Sequence, residues 1–177
     1  REPELARKVN VDASAYLAQA AKEVGSRMIY ISSDQVYDPS RYRMLTERTP
    51  VNPQNFYGET KVLAEQEVKK ASRSSILRIT WQFGLSDTRG GILLAAKKAL
   101  ESGEPVRVAA NSRRYVTWVE NTVDVIERII DGKIPGGLYN VASVSLCTDA
   151  EAYRYLLGVL GASEEVADRL VQIDPSY

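Results

Sequence analysis

The chain has no histidine and a single cysteine, Cys147. The first absence removes histidine-based triads and the commonest metal ligand. The second removes any internal disulfide or cysteine-built zinc site, so no metal is expected and Cys147 reads as a small buried hydrophobe. Net charge is missing too: 23 basic side chains balance 23 acidic ones. That argues against broad electrostatic attraction to nucleic acid or to an anionic membrane. No apolar run approaches the roughly 20 residues that cross a bilayer, and no signal peptide opens the sequence. The expectation is a cytoplasmic protein with no nucleic-acid and no membrane partner.

At 177 residues, 44% of them hydrophobic, the chain is long enough to bury a core. Residues 3–24 place Leu5, Val9, Ala13, Leu17, Ala20, Ala21 and Val24 on one helical stripe closed by Gly25. Met28–Ile31 reads as a buried strand, and residues 35–56 as a turn-rich excursion. A second helix is expected from about Phe56 to Ala71, and a strand over Ser75–Trp81. A helix follows at Ile92–Leu100, closing at Gly103. Short strands are expected at Val106–Ala109 and Tyr115–Thr117, a helix at Val119–Ile130 and a strand at Leu138–Val141. Helices at Glu151–Leu160 and Ser163–Leu170 and a strand at Val171–Ile173 complete the series. Strands and helices alternating in this way imply βαβ units and a mainly parallel sheet. The expected division is residues 1–103 and a smaller α/β lobe over 104–177, with about 115–141 returning to the sheet.

Chemistry concentrates between Met28 and Lys61. The apolar run MIYI ends in Ser32, Ser33 and Asp34, and Tyr57 and Lys61 stand four residues apart at a helix start. With ten tyrosines and eight lysines in the chain, about half of one Tyr-x-x-x-Lys match arises by chance, so the motif alone decides little. Its context decides more. Residues i and i+4 share a helix face about 6 Å apart, which sets an ammonium beside a phenol and favours the phenolate. Ser33 follows a strand, at the end where open α/β sheets place ligands. Together the three side chains can protonate or deprotonate a carbonyl or alcohol oxygen. Elsewhere, Arg113 and Arg114 have the fork geometry to clamp a diphosphate, or form a solvated pair. Trp81 stacks on a ligand or closes the core rim, and Asp34 binds a hydroxyl or caps its turn.

The series SSDQVYD, then PVNPQNFYGETK, LRITWQFG, VRVAANSRRYVTWVENT and GLYNVAS resembles the extended short-chain dehydrogenases/reductases, and within them the dTDP-4-dehydrorhamnose reductases. In weaker form the resemblance covers nearly the whole chain. It implies a Rossmann-like, doubly wound and mainly parallel sheet, here incomplete, with a small carboxyl-terminal substrate lobe. It implies an NAD(P)H-dependent reduction of a 4-keto nucleotide sugar. Ser33 would orient the carbonyl, Tyr57 would donate the proton, and Lys61 would lower the Tyr57 pKa and hold the nicotinamide ribose. Ser32 and Asn10 join Tyr57 and Lys61 as the implied cofactor contacts. Asp34, Gln35, Trp81, Arg113 and Arg114 are the implied substrate contacts. A homodimer is among the assemblies the resemblance allows. The departures are Gln35, where the family carries an aromatic that touches the sugar, Pro39 in place of a glycine, and Arg114-Tyr115-Val116-Thr117 in place of GxPT. They bear on the sugar and the base.

The eleven glycines nowhere form a GxGxxG or GxxGxxG turn after a strand, the turn that brings backbone N–H groups to a dinucleotide pyrophosphate. Arg1 is not an initiator methionine. The expectation is the carboxyl-terminal two-thirds of a protein of roughly 250–300 residues, which alone binds NAD(P)H poorly or not at all. A second functional class stays open: the regulatory β-subunit of methionine adenosyltransferase has the same fold and a similar ISSDxVFD stretch. An epimerase or dehydratase is disfavoured, because Gln35 follows Asp34 where dehydratases carry a second acid.

Overall fold

The computed structural model describes residues 2–40, 45–84, 91–110, 112–144 and 146–174. They form two compact units, residues 1–79 with 124–141, and residues 80–123 with 142–177. The division therefore falls after Ile79 rather than at 103, and the segment that returns is 124–141.

The first unit is built on a parallel sheet of β1 (Met28–Ser33), β2 (Ser74–Ile79) and β6 (Leu138–Val141), in the order β1-β2-β6. Its register sets Ser33 opposite Ile79, and Ile79 opposite Val141, so the three strands end level. One helical segment precedes β1. It runs as α1 (Pro3–Arg7), a π-helical turn (Lys8–Asp12) and α2 (Ala13–Glu23), and Gly25 then turns the chain at φ 67°. Helix α3 (Phe56–Val68) connects β1 to β2 and packs on α2 and β1. Leu77 and Val141 meet Ile129 and Val125 of α5 (Val119–Ile130) in an apolar cluster.

The expected apolar stripe of the first helix is not its buried face. Leu17 and Val24 are 62% and 77% exposed, and Leu5 and Val9 are exposed as well. The buried positions are Val11, Ser14, Ala18 and Ala21, with Ala18 and Ala21 against Ala71 and Met28. At ~100° per residue the two stripes of α2 lie about a quarter turn apart. Small side chains win the inner face because α2 packs directly on α3.

The expected strand Ser75–Trp81 is two strands. β2 ends at Ile79 and β3 (Trp81–Phe83) begins a different sheet, with only Thr80 between them. Thr80 is buried, its hydroxyl 2.7 Å from that of Thr117.

In the second unit β3 pairs in parallel with β5 (Arg113–Trp118), which pairs antiparallel with β7 (Leu146–Thr148). β7 was not expected: three residues between turn-rich segments carry too little period-2 signal. β4 (Val106–Ala109) and β8 (Val171–Asp174) form a separate parallel pair. Helices α4 (Ile92–Ser102), α6 (Asp149–Val159) and α7 (Glu164–Leu170) enclose a core of Ile92, Val108, Leu156, Leu157, Leu170 and Val171. Gly103 ends α4 at φ 74°, and a Thr148–Glu151 capping box starts α6.

Helix α3 is held to the sheet by a buried ion pair. Arg78 on β2 donates from Nε and Nη2 to the two oxygens of Glu65, at 2.8 and 2.6 Å. Both residues are almost sealed from solvent, 4% and 2% exposed. Two hydroxyls join the pair. Ser32 of β1 donates to Glu65 at 2.6 Å, and Arg78 Nη1 donates to the Tyr37 hydroxyl at 2.7 Å. Tyr37 in turn donates to Asn140 Oδ1 of β6 at 2.9 Å. Breaking such a pair from one side leaves a buried charge alone, whereas removing both charges does not. Arg78→Met is expected to cost about 3–5 kcal/mol in equilibrium urea unfolding. The double variant Glu65→Leu/Arg78→Met should recover at least half of that loss.

Candidate active site

The level ends of β1, β2 and β6 leave Ser33 as the last residue of β1, and a short 3-10 turn (Asp34–Val36) follows it. The Ser33 hydroxyl caps that turn, accepting the Gln35 N–H at 3.2 Å, and reaches Asp34 Oδ1 at 3.2 Å. Helix α3 begins beside it. Asn55 is its cap, accepting the Gly58 N–H at 2.8 Å and donating from Nδ2 to Gln35 Oε1 at 3.0 Å. The turn after β1 and the start of α3 are therefore tied by side chains from both.

Tyr57 lies in the first turn of α3 and is 44% exposed. Partial burial raises its pKa above the ordinary phenol value, a hydrogen bond with the Ser33 side chain works in the other direction, and the Asp34 charge adds to the rise. Lys61, one turn on, donates from Nζ to the Ile31 carbonyl oxygen at 2.8 Å and to the Tyr30 hydroxyl at 3.1 Å. Its ammonium stands 5.8 Å from the Tyr57 ring centroid. Burial lowers the Lys61 pKa, and the nearby Glu65 carboxylate opposes that shift. Ser33, Tyr57 and Lys61 are thus brought together at the strand end: a phenol beside a hydroxyl, with an ammonium behind it.

Asn10 sits in the π-helical turn and binds the same helix, its Nδ2 donating to Thr60 Oγ1 at 3.0 Å, while Thr60 donates to the Tyr57 carbonyl at 2.7 Å. Ser32, named above as a cofactor contact, is buried with its hydroxyl given to Glu65. Gln35 holds the helix cap. The Lys61 ammonium and the Tyr57 phenol are the donors here whose chemistry suits a sugar hydroxyl and a carbonyl oxygen.

The remaining implied contacts lie in the second unit. Arg114 is clamped by Asp149 at 2.7 and 2.9 Å, and its guanidinium lies 4.4 Å over the Trp81 ring. Trp81 meets Tyr153 edge-on at 6.4 Å. Arg114 and Trp81 thus form one stacked cluster, fixed by a carboxylate that sequence reasoning did not single out. Arg113 is exposed at the start of β5. Glu65 and Tyr30 were also missed. Glu65 had a signal, since it continues the Tyr57–Lys61 spacing by one more helical turn. Among the described residues no group of three or more acidic, cysteine or histidine side chains is arranged to hold a metal ion.

Gly58 sets how closely α3 approaches the turn after β1. A Cβ at this position would land on the Gln35 carbonyl oxygen and 2.9 Å from Pro53 Cβ. Gly58→Ala is therefore expected to lower stability by about 1–3 kcal/mol, read as a lower urea midpoint. Gly158 in α6 has nothing within 4 Å of an added Cβ, and Gly158→Ala should be neutral or stabilising by up to ~1 kcal/mol.

Residues 1–171 match the family model described as the RmlD substrate binding domain. A dTDP-4-dehydrorhamnose reductase of Mycolicibacterium smegmatis is 28% identical over 170 residues, 93% of this chain and 50% of that protein. Methionine adenosyltransferase 2 subunit beta of Bos taurus is 31% identical over 142 residues, 76% of this chain and 42% of its own. The chain spans about half the length of these curated relatives. The crystal structure of a Bacillus anthracis dTDP-4-dehydrorhamnose reductase in complex with NADP superposes with a TM-score of 0.87 at 24% identity, covering 98% of this chain and 59% of that one. That likeness shows the Rossmann-like α/β fold. With its family model matched from residue 1 to residue 171, the chain belongs to the RmlD substrate binding domain family.

Proposed function

We propose that the full-length protein reduces the 4-keto group of a nucleotide sugar, with a nicotinamide cofactor. The observation that carries this reading is the convergence of Ser33, Tyr57 and Lys61 at the carboxyl end of β1. NADH or NADPH, when bound, supplies the hydride. This chain's own residues supply the proton and hold the oxygen that receives it. The Ser33 hydroxyl accepts from the Gln35 N–H and gives its proton to Asp34 Oδ1; turned away from Asp34, that proton would bond the substrate carbonyl oxygen. Tyr57 is the acid: its raised pKa keeps the phenol protonated at neutral pH, ready to protonate the developing alkoxide. Lys61 stabilises the phenolate left behind through its nearby positive charge. Lys61 and Tyr57 fit the ribose end of such a cofactor, whereas the sequence carries no glycine-rich turn for its pyrophosphate. The Trp81–Arg114 stack, clamped by Asp149, and the exposed Arg113 suit a base and a diphosphate.

A second reading is a non-catalytic regulatory subunit, favoured by the 31% identity to methionine adenosyltransferase 2 subunit beta. The two part on one assay: oxidation of NADPH or NADH by the full-length gene product when a dTDP-4-keto-6-deoxy sugar is added. The reductase reading predicts turnover, and no absorbance loss at 340 nm with either cofactor would sink it.

In that assay Tyr57→Phe should lower kcat by about 10²–10⁴. The pH profile has a definite sign. Tyr57 acts protonated and Lys61 acts charged, so both functions persist at low pH and are lost as pH rises through their pKa values. The raised Tyr57 pKa moves its limit to higher pH, whereas the lowered Lys61 pKa brings its limit to lower pH. Reductive kcat should therefore fall on the alkaline side, with the Lys61 limb first. A profile in which kcat rises through that range would contradict the assignment.

A further inference from the structure

Lys61 does not hydrogen-bond Tyr57 in this structure; it donates to the Ile31 carbonyl, at 2.8 Å, and to the hydroxyl of a second tyrosine, Tyr30, at 3.1 Å. Tyr30 belongs to β1, half-buried, three residues before Ser33. The ammonium lies closer to its ring, 4.6 Å from the centroid, than to that of Tyr57 at 5.8 Å. Two tyrosines therefore flank one lysine, and only one of them has a role in the chemistry described above.

Toward Lys61 the Tyr30 oxygen is an acceptor. The Ser14 side chain acts on the phenol in the direction that lowers its pKa, against the larger rise from burial. Ser14 itself gives its proton to the Asn10 carbonyl at 2.7 Å.

We propose that Tyr30 is a positioning residue that orients the Lys61 ammonium without neutralising it. The inference rests on the reductase reading given above. An ammonium has three N–H donors in tetrahedral array. Ile31 and Tyr30 take two of them, and the direction of the third is then fixed by geometry. With the Tyr30 oxygen removed, the ammonium keeps one backbone acceptor and rotates about that bond. A carboxylate in the same place would orient the lysine equally well but would cancel its charge. Burial pushes the Tyr30 phenol up to about 12, so it stays a neutral acceptor throughout the working range. The charged or titratable groups that act on Lys61 are Glu65 and Tyr57 from its own helix and Tyr30 from β1, with Asp34 acting on Tyr57 from the following turn.

The test is Tyr30→Phe in the full-length gene product, which keeps the ring and removes one oxygen. Two measurements are made. The first is turnover with the 4-keto sugar and reduced cofactor. The expected result is a fall of about tenfold in kcat, with KM for the sugar changed less than twofold. The second needs no cofactor: Cε and Nζ NMR titration of labelled lysine, with the Lys61 signal assigned by Lys61→Met. Loss of an acceptor for the charged form should move the Lys61 titration to lower pH than in the parent protein. Unchanged kcat in Tyr30→Phe, while Tyr57→Phe abolishes turnover, overturns the proposal and leaves the reductase reading intact. An unshifted Lys61 titration overturns it as well. A parent protein that leaves the sugar untouched, with the Lys61 shift present in Tyr30→Phe, sinks the reductase reading and supports the contact.

Discussion

The buried pair of Glu65 and Arg78 is the constraint from which the first unit takes its geometry. Helix α3 carries Tyr57 and Lys61, and β1 carries Ser33, so the proposed chemistry needs those two elements in one fixed relation. Glu65 provides it by accepting from Ser32 on β1 and from Arg78 on β2 at once. Desolvating two charges is costly, and a pair of this kind adds little net stability over well-packed apolar residues. Its contribution is register. A carboxylate that must satisfy a fork on one strand and a hydroxyl on the next has few alternative positions. Sliding α3 by one residue would leave both charges buried without partners.

The same network reaches outward through Tyr37 to Asn140, so the three strands of the parallel sheet are joined at one end by side chains as well as by their ladder. At the other side of the site, Gly58 and Asn55 press the helix start onto the turn after Ser33. Tyr57 is held between these two anchors, one about a turn of helix beyond Lys61 and one directly beside it. A half-exposed phenol is thereby kept in place although little of its own surface is packed.

The sequence made the local features legible and left the long-range ones dark. Helix α5 and the stop of α4 at Gly103 follow from periodicity and glycine, which act over a few positions. The grouping of Ser33, Tyr57 and Lys61 was legible because a strand end and a helix start are themselves local signals. The ion pair was not, since Glu65 and Arg78 meet only once β1 and β2 are known to be neighbours. Tyr30 was hidden for the same reason, in a short run that reads as plain strand. The inner face of α2 was misread because volume, not hydrophobicity, decides what fits against α3: Ser14 and Ala18 go inside while Leu17 stays out. The break at Thr80 was hidden inside a continuous β-prone run, SILRITW, whose pairing partners change partway along it.

The π-helical turn at Lys8–Asp12 is tied by side chain to the start of α3. Asn10, within that turn, donates to Thr60, and Thr60 donates to the Tyr57 carbonyl. The backbone that carries the phenol is thus fastened to a segment nearly fifty residues earlier in the chain, and the winding of that segment is felt where the phenol leaves the helix.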